Sequence, residues 1–261
     1  MNLEASDIAF AYGHGGRQVL RAVAADIAPG SFLAILGVNG CGKSTFLDCL
    51  DGMLAPQRGC VRLGGVDLES IDRRTRAQSI AYVAQHSHAN RLVVYDALLL
   101  GRKPFVKTGP SEDDFAIVDA VIADMGLDDL AFRYVDELSG GEYQKVVIGR
   151  ALVQCRDVLL LDEPTNNLDI ANQIEVMELV RRAVDERAIA AAAVMHDINL
   201  SLSYCDRFLV LKQGEAAAYG GPEVVTEDLL KDVYGITADI IEWNGKRVVV
   251  PYGRHAGRED L

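Results

Sequence analysis

The sequence has no apolar run near the roughly 18 residues that a membrane-crossing helix needs. Its first residues, Met1-Asn2-Leu3-Glu4, carry neither the basic start nor the apolar core of a signal peptide. The expectation is a cytoplasmic chain that spans no membrane. No Cys-x-x-Cys pair occurs, and the five cysteines (Cys41, Cys49, Cys60, Cys155, Cys205) are odd in number and scattered. That argues against a zinc ribbon or a disulfide framework and favours buried, reduced thiols. Basic residues are in deficit, with 26 Lys and Arg against 38 Asp and Glu and a formal net charge of -12. Such a surface repels polyphosphate, so broad nucleic-acid binding is excluded and only a local anion site stays open. Low-complexity tracts and fixed-period repeats are also missing, which removes the disordered and solenoid classes.

What remains is an ordinary globular balance of 49% apolar and 25% charged residues over 261 positions, enough for one α/β domain with a sizeable core. Leu3 to Phe10 and Val19 to Ile27, separated by Gly13, Gly15 and Gly16, predict an opening antiparallel hairpin. Phe32 to Leu36 is a short apolar run ending at Gly37, the pattern of a buried strand, and a helix should follow from Lys43. From residue 86 to about 137 helical periods dominate, at Val94 to Leu100 and Phe115 to Met125. Ser111 and Asp114 form a capping box before the second helix, and Gly126 suits its end. Val158 to Leu161 and Ala188 to Met195 predict buried strands on either side of an amphipathic helix, Ile170 to Arg187. The last stretch predicts strands at Phe208 to Lys212, Glu215 to Tyr219 and Val248 to Val250, with a helix at Leu229 to Tyr234, forming a tail rather than a further domain.

Gly37-Val38-Asn39-Gly40-Cys41-Gly42-Lys43-Ser44 fits G-x-x-x-x-G-K-S/T between a predicted strand and a predicted helix. Glycines let successive backbone N–H groups turn toward the β- and γ-phosphates of a nucleotide, and the helix N-terminus adds roughly half a positive charge. Lys43 can neutralise phosphate oxygens, and the Ser44 hydroxyl can ligate Mg²⁺. A metal-nucleotide site also needs a carboxylate, and Val158 to Leu161 runs into Asp162 and Glu163. Asp162 would hold the ion through water, and Glu163 would polarise the attacking water. Leu138-Ser139-Gly140-Gly141-Glu142 precedes a helix expected from Tyr143 to about Gln154, a second glycine-containing anion seat 23 residues before Asp162. Two seats with one lysine-bearing loop make sense if two copies pair head to tail.

These motifs, with Gln85 in Tyr82-Val83-Ala84-Gln85, Leu159 to Pro164, Asn167-Leu168-Asp169 and Met195-His196-Asp197, stand in the order of the ATP-binding cassette family, which the chain resembles over almost its whole length. The resemblance implies an α/β fold: a P-loop NTPase core of mixed sheet with flanking helices and an antiparallel β subdomain, interrupted by a helical subdomain. Residues 1–85 and 155–261 would form the core and tail, and 86–154 the inserted helical subdomain with the signature. It further implies ATP and Mg²⁺ as cofactors. Tyr12 would stack on adenine, and the loop from Gly37 to Thr45 would bind the phosphates. Ser44, Gln85 and Asp162 would serve the metal, with Glu163, His196 and Gln85 catalytic. Ser139, Gly140, Gly141 and Asp169 would act on the nucleotide held by the opposite chain. Glu142 stands where many members have Gln, and Cys41 in the loop suggests sensitivity to thiol reagents.

By the same resemblance, the partners are a second copy and a polytopic permease docking at 86–110, with an extracytoplasmic substrate-binding protein acting indirectly. Location would be peripheral, on the cytoplasmic face of the membrane. The segment 164–169 and the ending around Val233 to Pro251 look most like importers of iron-siderophore, haem or cobalamin complexes. Chromosome-maintenance and break-repair ATPases place hundreds of coiled-coil residues between motifs that lie 119 positions apart here, and the related translation factors carry two cassettes. A soluble cassette of iron-sulfur cluster assembly is the remaining alternative.

Overall fold

The computed structural model describes residues 1–13, 16–85 and 91–254; Gly15 of the predicted turn and residues 86–90 lie outside the described residues. In chain order the strands and helices are β1 (Leu3–Ala11), β2 (Gln18–Ile27), β3 (Phe32–Gly37), α1 (Lys43–Asp51), β4 (Arg58–Leu63), β5 (Val66–Asp67), α2 (Arg73–Ser79) and β6 (Ile80–Val83). Then come α3 (Val94–Leu99), α4 (Glu112–Asp124), α5 (Gly140–Gln154), β7 (Val158–Asp162), α6 (Ile170–Arg187) and β8 (Ala190–Val194). The chain ends with α7 (Ile198–Tyr204), β9 (Arg207–Lys212), β10 (Glu215–Gly220), α8 (Glu227–Tyr234), β11 (Ile236–Trp243) and β12 (Lys246–Arg254).

β3, β7 and β8 are buried along their whole length, which is why they are near-continuous apolar runs and not alternating ones. They form the middle of a six-stranded sheet in the order β10-β9-β3-β8-β7-β6, parallel except for the β9–β10 edge. The two-residue period still decides which core each side chain enters. Leu33 and Ile35 join Phe46, Leu47 and Leu50 of α1 and the inner residues of β1, β2 and β4. Phe32, Ala34 and Leu36 face the opposite way, into a core shared with α5, α6 and α8. The second sheet is antiparallel in the order β2-β1-β4-β5, so α1 lies between two sheets, with the loop that precedes it at their common edge.

The two sheets are tied at a close approach. Arg21 N–H donates to the Gly214 carbonyl at 2.7 Å, and a Cβ at Gly214 would lie 2.2 Å from the Val19 carbonyl. Together with its φ of +85° this requires glycine at the β9–β10 turn.

Between β6 and β7 the chain is helical, as its periodicity predicts. Ser111 caps α4 in the expected box with Asp114, and Gly126 follows the helix at φ +61°. Asp114 also accepts from Arg102 Nε at 2.7 Å, and that guanidinium reaches the Val153 carbonyl of α5 at 3.0 Å. One carboxylate therefore caps α4 and joins it through Arg102 to α5. The Ser111 main-chain N–H, then Arg102, hold its carboxyl down to about 2.

Three features differ from expectation. α5 starts at Gly140, three residues before the predicted Tyr143, because Ser139 caps it in a box with Glu142. The stretch 58–83 contains β4, β5, α2 and β6, none of which the motif-led reading resolves: the strands are short, and β4 alternates charged residues on its open side. The tail has an additional strand, β11, whose mostly exposed side chains hide its period; it pairs with β12 as a separate two-stranded sheet. Asn199 of α7, itself unpredicted, pins that sheet by donating to and accepting from the Val249 backbone at 3.0 and 2.7 Å.

Asp114→Ala should lower stability by about 3 kcal/mol, since it leaves the largely covered Arg102 guanidinium without its carboxylate partner and α4 without the reciprocal half of its capping box. At this chain length that corresponds to a drop of roughly 5–10 °C in a thermal melt. Because the folded pKa is depressed, the stabilisation is present above the ordinary carboxylate range and is lost as pH falls from about 4 toward 2. The variant's melting temperature should fall less steeply than wild type across that window, and equal slopes would refute the assignment.

Candidate functional site

Gly37, Gly40 and Gly42 adopt φ of +141°, +76° and +107°, which folds the loop onto the start of α1. At Gly37 the requirement is also steric: a Cβ would lie 2.3 Å from the Leu211 carbonyl and 2.7 Å from Cys41 Sγ. Lys43 is buried and donates from Nζ to the carbonyls of Gly37 at 2.8 Å and Val38 at 3.2 Å, so its ammonium arches back over its own loop. From behind, the phenol of Tyr234 of α8 lies close to the Gly37 main chain, and burial pushes its pKa up.

The carboxyl ends of three parallel strands converge beside this loop, where ligands of open α/β sheets bind. Asp162 ends β7, is buried, and accepts from Ser44 Oγ at 3.1 Å. Burial raises its pKa, opposed by the Ser44 bond. Glu163 follows with φ +51°, a left-handed conformation held by its N–H to the Val194 carbonyl at 3.2 Å and by the Asn166 N–H to its own carbonyl at 3.1 Å. Its carboxylate is met from three sides. Gln85 Nε2, just past β6, donates to Oε2 at 2.6 Å, and Asn166 Nδ2 donates to the same oxygen at 2.9 Å. His196 Nε2, just past β8, lies 2.6 Å from Oε1. A carboxylate can only accept, so the imidazole proton belongs on Nε2.

On the other wall, Tyr12 stands just beyond β1, edge-on to Phe10 with ring centroids 5.0 Å apart, and its hydroxyl lies 3.2 Å from Thr45 Oγ1. More than half of its surface is exposed, leaving a ring face open. Tyr12, Thr45, Gln85, Glu163, Asn166 and His196 line one open cleft of about 780 Å³, with Asn39, Gly40, Gly42, Lys43, Ser44 and Val19; the buried Asp162 is not among its lining residues. Two lining residues, Asn166 and Val19, were not singled out from the sequence. Asn166 lies inside a quoted motif and could have been flagged as a second amide beside Glu163; nothing in the pattern marks Val19. Gly37, Val38 and Cys41 are not among the lining residues, and the buried Cys41 thiol faces the core with α1.

Ser139, Gly140, Gly141 and Asp169 are likewise not among the residues lining this cleft. The first three form the start of α5, where Ser139 N–H and Oγ–H both donate to Glu142 Oε2 at 2.8 and 2.7 Å, holding that carboxyl below its usual range. Glu142 therefore closes the first turn of its own helix. Of the expected docking surface, the described part includes an apolar groove of about 400 Å³ lined by Leu92, Leu99, Leu100, Val106 and Pro110, with Asp96 and Lys103.

Comparisons with known proteins show the family and the fold. The family model described as ABC transporter matches residues 20–166. An uncharacterized ABC transporter ATP-binding protein of Methanocaldococcus jannaschii is 45% identical over 97% of this chain and 99% of its own length. A hemin import ATP-binding protein of Bordetella avium is 36% identical over 98% of this chain and 97% of its own. Among solved structures, a dimeric ATP-binding cassette in a post-hydrolysis state, bound to ADP and Pi, superposes with a TM-score of 0.73 at 25% identity, over 84% of this chain and 98% of that one.

The thiol sensitivity expected for Cys41 is corrected by its burial, which withdraws the sulfur and raises its pKa. Brief iodoacetamide treatment at neutral pH should label the partly exposed Cys60 well before Cys41 when followed by mass spectrometry. Comparable rates at the two sites would contradict the inward orientation.

Proposed function

The chain belongs to the ABC transporter ATPases, and from that premise we propose that two copies close head to tail over two ATP molecules to drive import of an iron complex, haem or siderophore, or of cobalamin, through a membrane permease. The observation that carries the hydrolytic reading is Glu163, a carboxylate gathered by Gln85, Asn166 and His196 in the same cleft as the Lys43 loop.

In this reading the loop N–H groups and Lys43 bind the β- and γ-phosphates, and Tyr12 receives the adenine. Water attacks the γ-phosphorus, the bond to the ADP oxygen breaks, and Glu163 takes the water proton. Gln85 and His196 orient that carboxylate and the water. The residues fit a Mg²⁺ ion: Ser44 and Asp162 supply oxygen donors side by side. Among the described residues no group of three or more His, Cys, Asp or Glu could hold a metal by itself, which suits an ion whose remaining ligands are water and phosphate. When bound it would offset the charge of the phosphate oxygens.

The second anion seat, at Ser139 to Gly141, and Asp169 stand apart from the cleft and suit the nucleotide of an opposing chain. The dimeric form of the similar solved cassette supports that arrangement. No helix among the described residues is long and apolar enough to cross a membrane; the membrane passage in this reading belongs to a permease, and the groove around Leu99 and Leu100 is the proposed seat for it. The name of the hemin import relative favours import over cluster assembly, and with import comes a peripheral position on the cytoplasmic face and an indirect link to an extracytoplasmic binding protein.

Glu163→Gln should retain ATP binding, lose roughly 10²- to 10⁴-fold in turnover, and elute with ATP as a dimer in size-exclusion chromatography. Turnover equal to wild type would remove Glu163 as the base. Purified through a tag from solubilised membranes, the chain should bring down a polytopic membrane protein; a soluble cluster-assembly scaffold in its place would overturn the import reading.

A further inference from the structure

Asp169 opens α6 as its N-cap, and both of its carboxylate oxygens are held by a single residue. The Asn172 main-chain N–H donates to Oδ1 at 2.9 Å, and Asn172 Nδ2 donates to Oδ2 at 2.7 Å. The same side-chain amide also lies against the other exposed tip of the chain, the start of α5. A Cβ built on Gly141 would lie 2.2 Å from Asn172 Oδ1, 2.5 Å from its Cγ and 3.0 Å from Nδ2. Gly141 is helical and has no positive φ, so a side chain there would meet no backbone strain but would have to displace the Asn172 amide. Its neighbour Gly140 has open space where a Cβ would point. The two glycines therefore differ in kind: one leaves the seat open outward, and the other admits Asn172 from within the chain.

Farther from the tips, α5 is fastened to the same region by Gln144 Nε2 to the Pro164 carbonyl at 2.8 Å and by Lys145 to Glu175 at 2.5 Å. These two links fix the helices. Asn172 reaches both the Asp169 carboxylate and Gly141.

We propose that Asn172 is a positioning residue that joins the Asp169 loop to the signature seat, so that the two present themselves to the opposing chain's nucleotide as one body. The inference rests on the two-chain reading above. Two independently mobile tips would each lose freedom on closure, whereas a preassembled pair is ordered before the partner arrives. Asparagine suits the task because its amide donates to the Asp169 carboxylate while its flat, short side chain packs where Gly141 leaves room.

The experiment uses the full chain with Glu163→Gln, at saturating ATP, and reads the dimer dissociation constant by light scattering. Asn172→Ala should raise that constant on the order of tenfold, the effect of losing one hydrogen bond to a charged group. Binding of ADP to the single chain should stay unchanged, which also reports that the variant is folded. Gly141→Ala should weaken the dimer as well. Combined with Asn172→Ala it should cost less than the sum, because the new methyl then has room. An unchanged dimer constant in Asn172→Ala, or strictly additive losses, would overturn the proposal. Failure of the Glu163→Gln chain to dimerise with ATP would instead overturn the two-chain reading on which it stands.

Discussion

The site depends on the fact that β6, β7 and β8 are parallel and end at the same level, so that residues a few positions past each strand meet without any long loop. Gln85, Glu163 and His196 come from three separated segments, and they are brought within hydrogen-bond distance by the register of buried, alanine- and leucine-rich strands. The chemistry-bearing side chains sit on the rigid part of the fold, and the left-handed turn at Glu163 aims its carboxylate back across the strand ends. The small side chains of β8 serve this arrangement as well, since a strand of four alanines and a valine leaves room for tightly packed layers on both faces.

Much of this was legible in the sequence because the informative residues obey hard local rules. A lysine and three glycines at fixed spacing after an apolar run leave few structures open, and Ser111 with Asp114 marks a helix start through the geometry of one turn. Fully buried strands announce themselves by uninterrupted apolar runs. Elements that sequence patterning missed lack such marks. β11 is mostly exposed, so its side chains carry little periodicity, and α7 is only two turns long. The side-chain partners were less legible still. That Cys41 turns inward, that Asn166 completes the cradle of Glu163, and that Val19 lines the cleft all follow from tertiary placement, which no spacing encodes. The general expectation of buried thiols holds for Cys41, whereas its suggested reagent sensitivity came from its place in the loop: its neighbours in sequence belong to the cleft, while its neighbours in space belong to the core.

The acidic balance of the chain and its affinity for a polyanion are compatible because the two act over different ranges. A net negative surface is screened within about 8 Å at physiological salt. Within the loop, the phosphates would meet oriented N–H groups and one buried ammonium in a confined setting where such interactions are far stronger. The acidic residues nearest the loop are not a contradiction either: Asp162 is buried and accepts a hydrogen bond from Ser44 Oγ.

The contact between Tyr234 and Gly37 changes what the end of this chain is. A helix that follows the last strands of the central sheet, and that looks in the sequence like a terminal appendage, supplies the rear wall of the nucleotide loop. β11 packs beside α8, so the two-stranded sheet, that helix and the loop lie in one continuous stack. Segments near opposite ends of the described chain thus become neighbours, with a phenol ring between them.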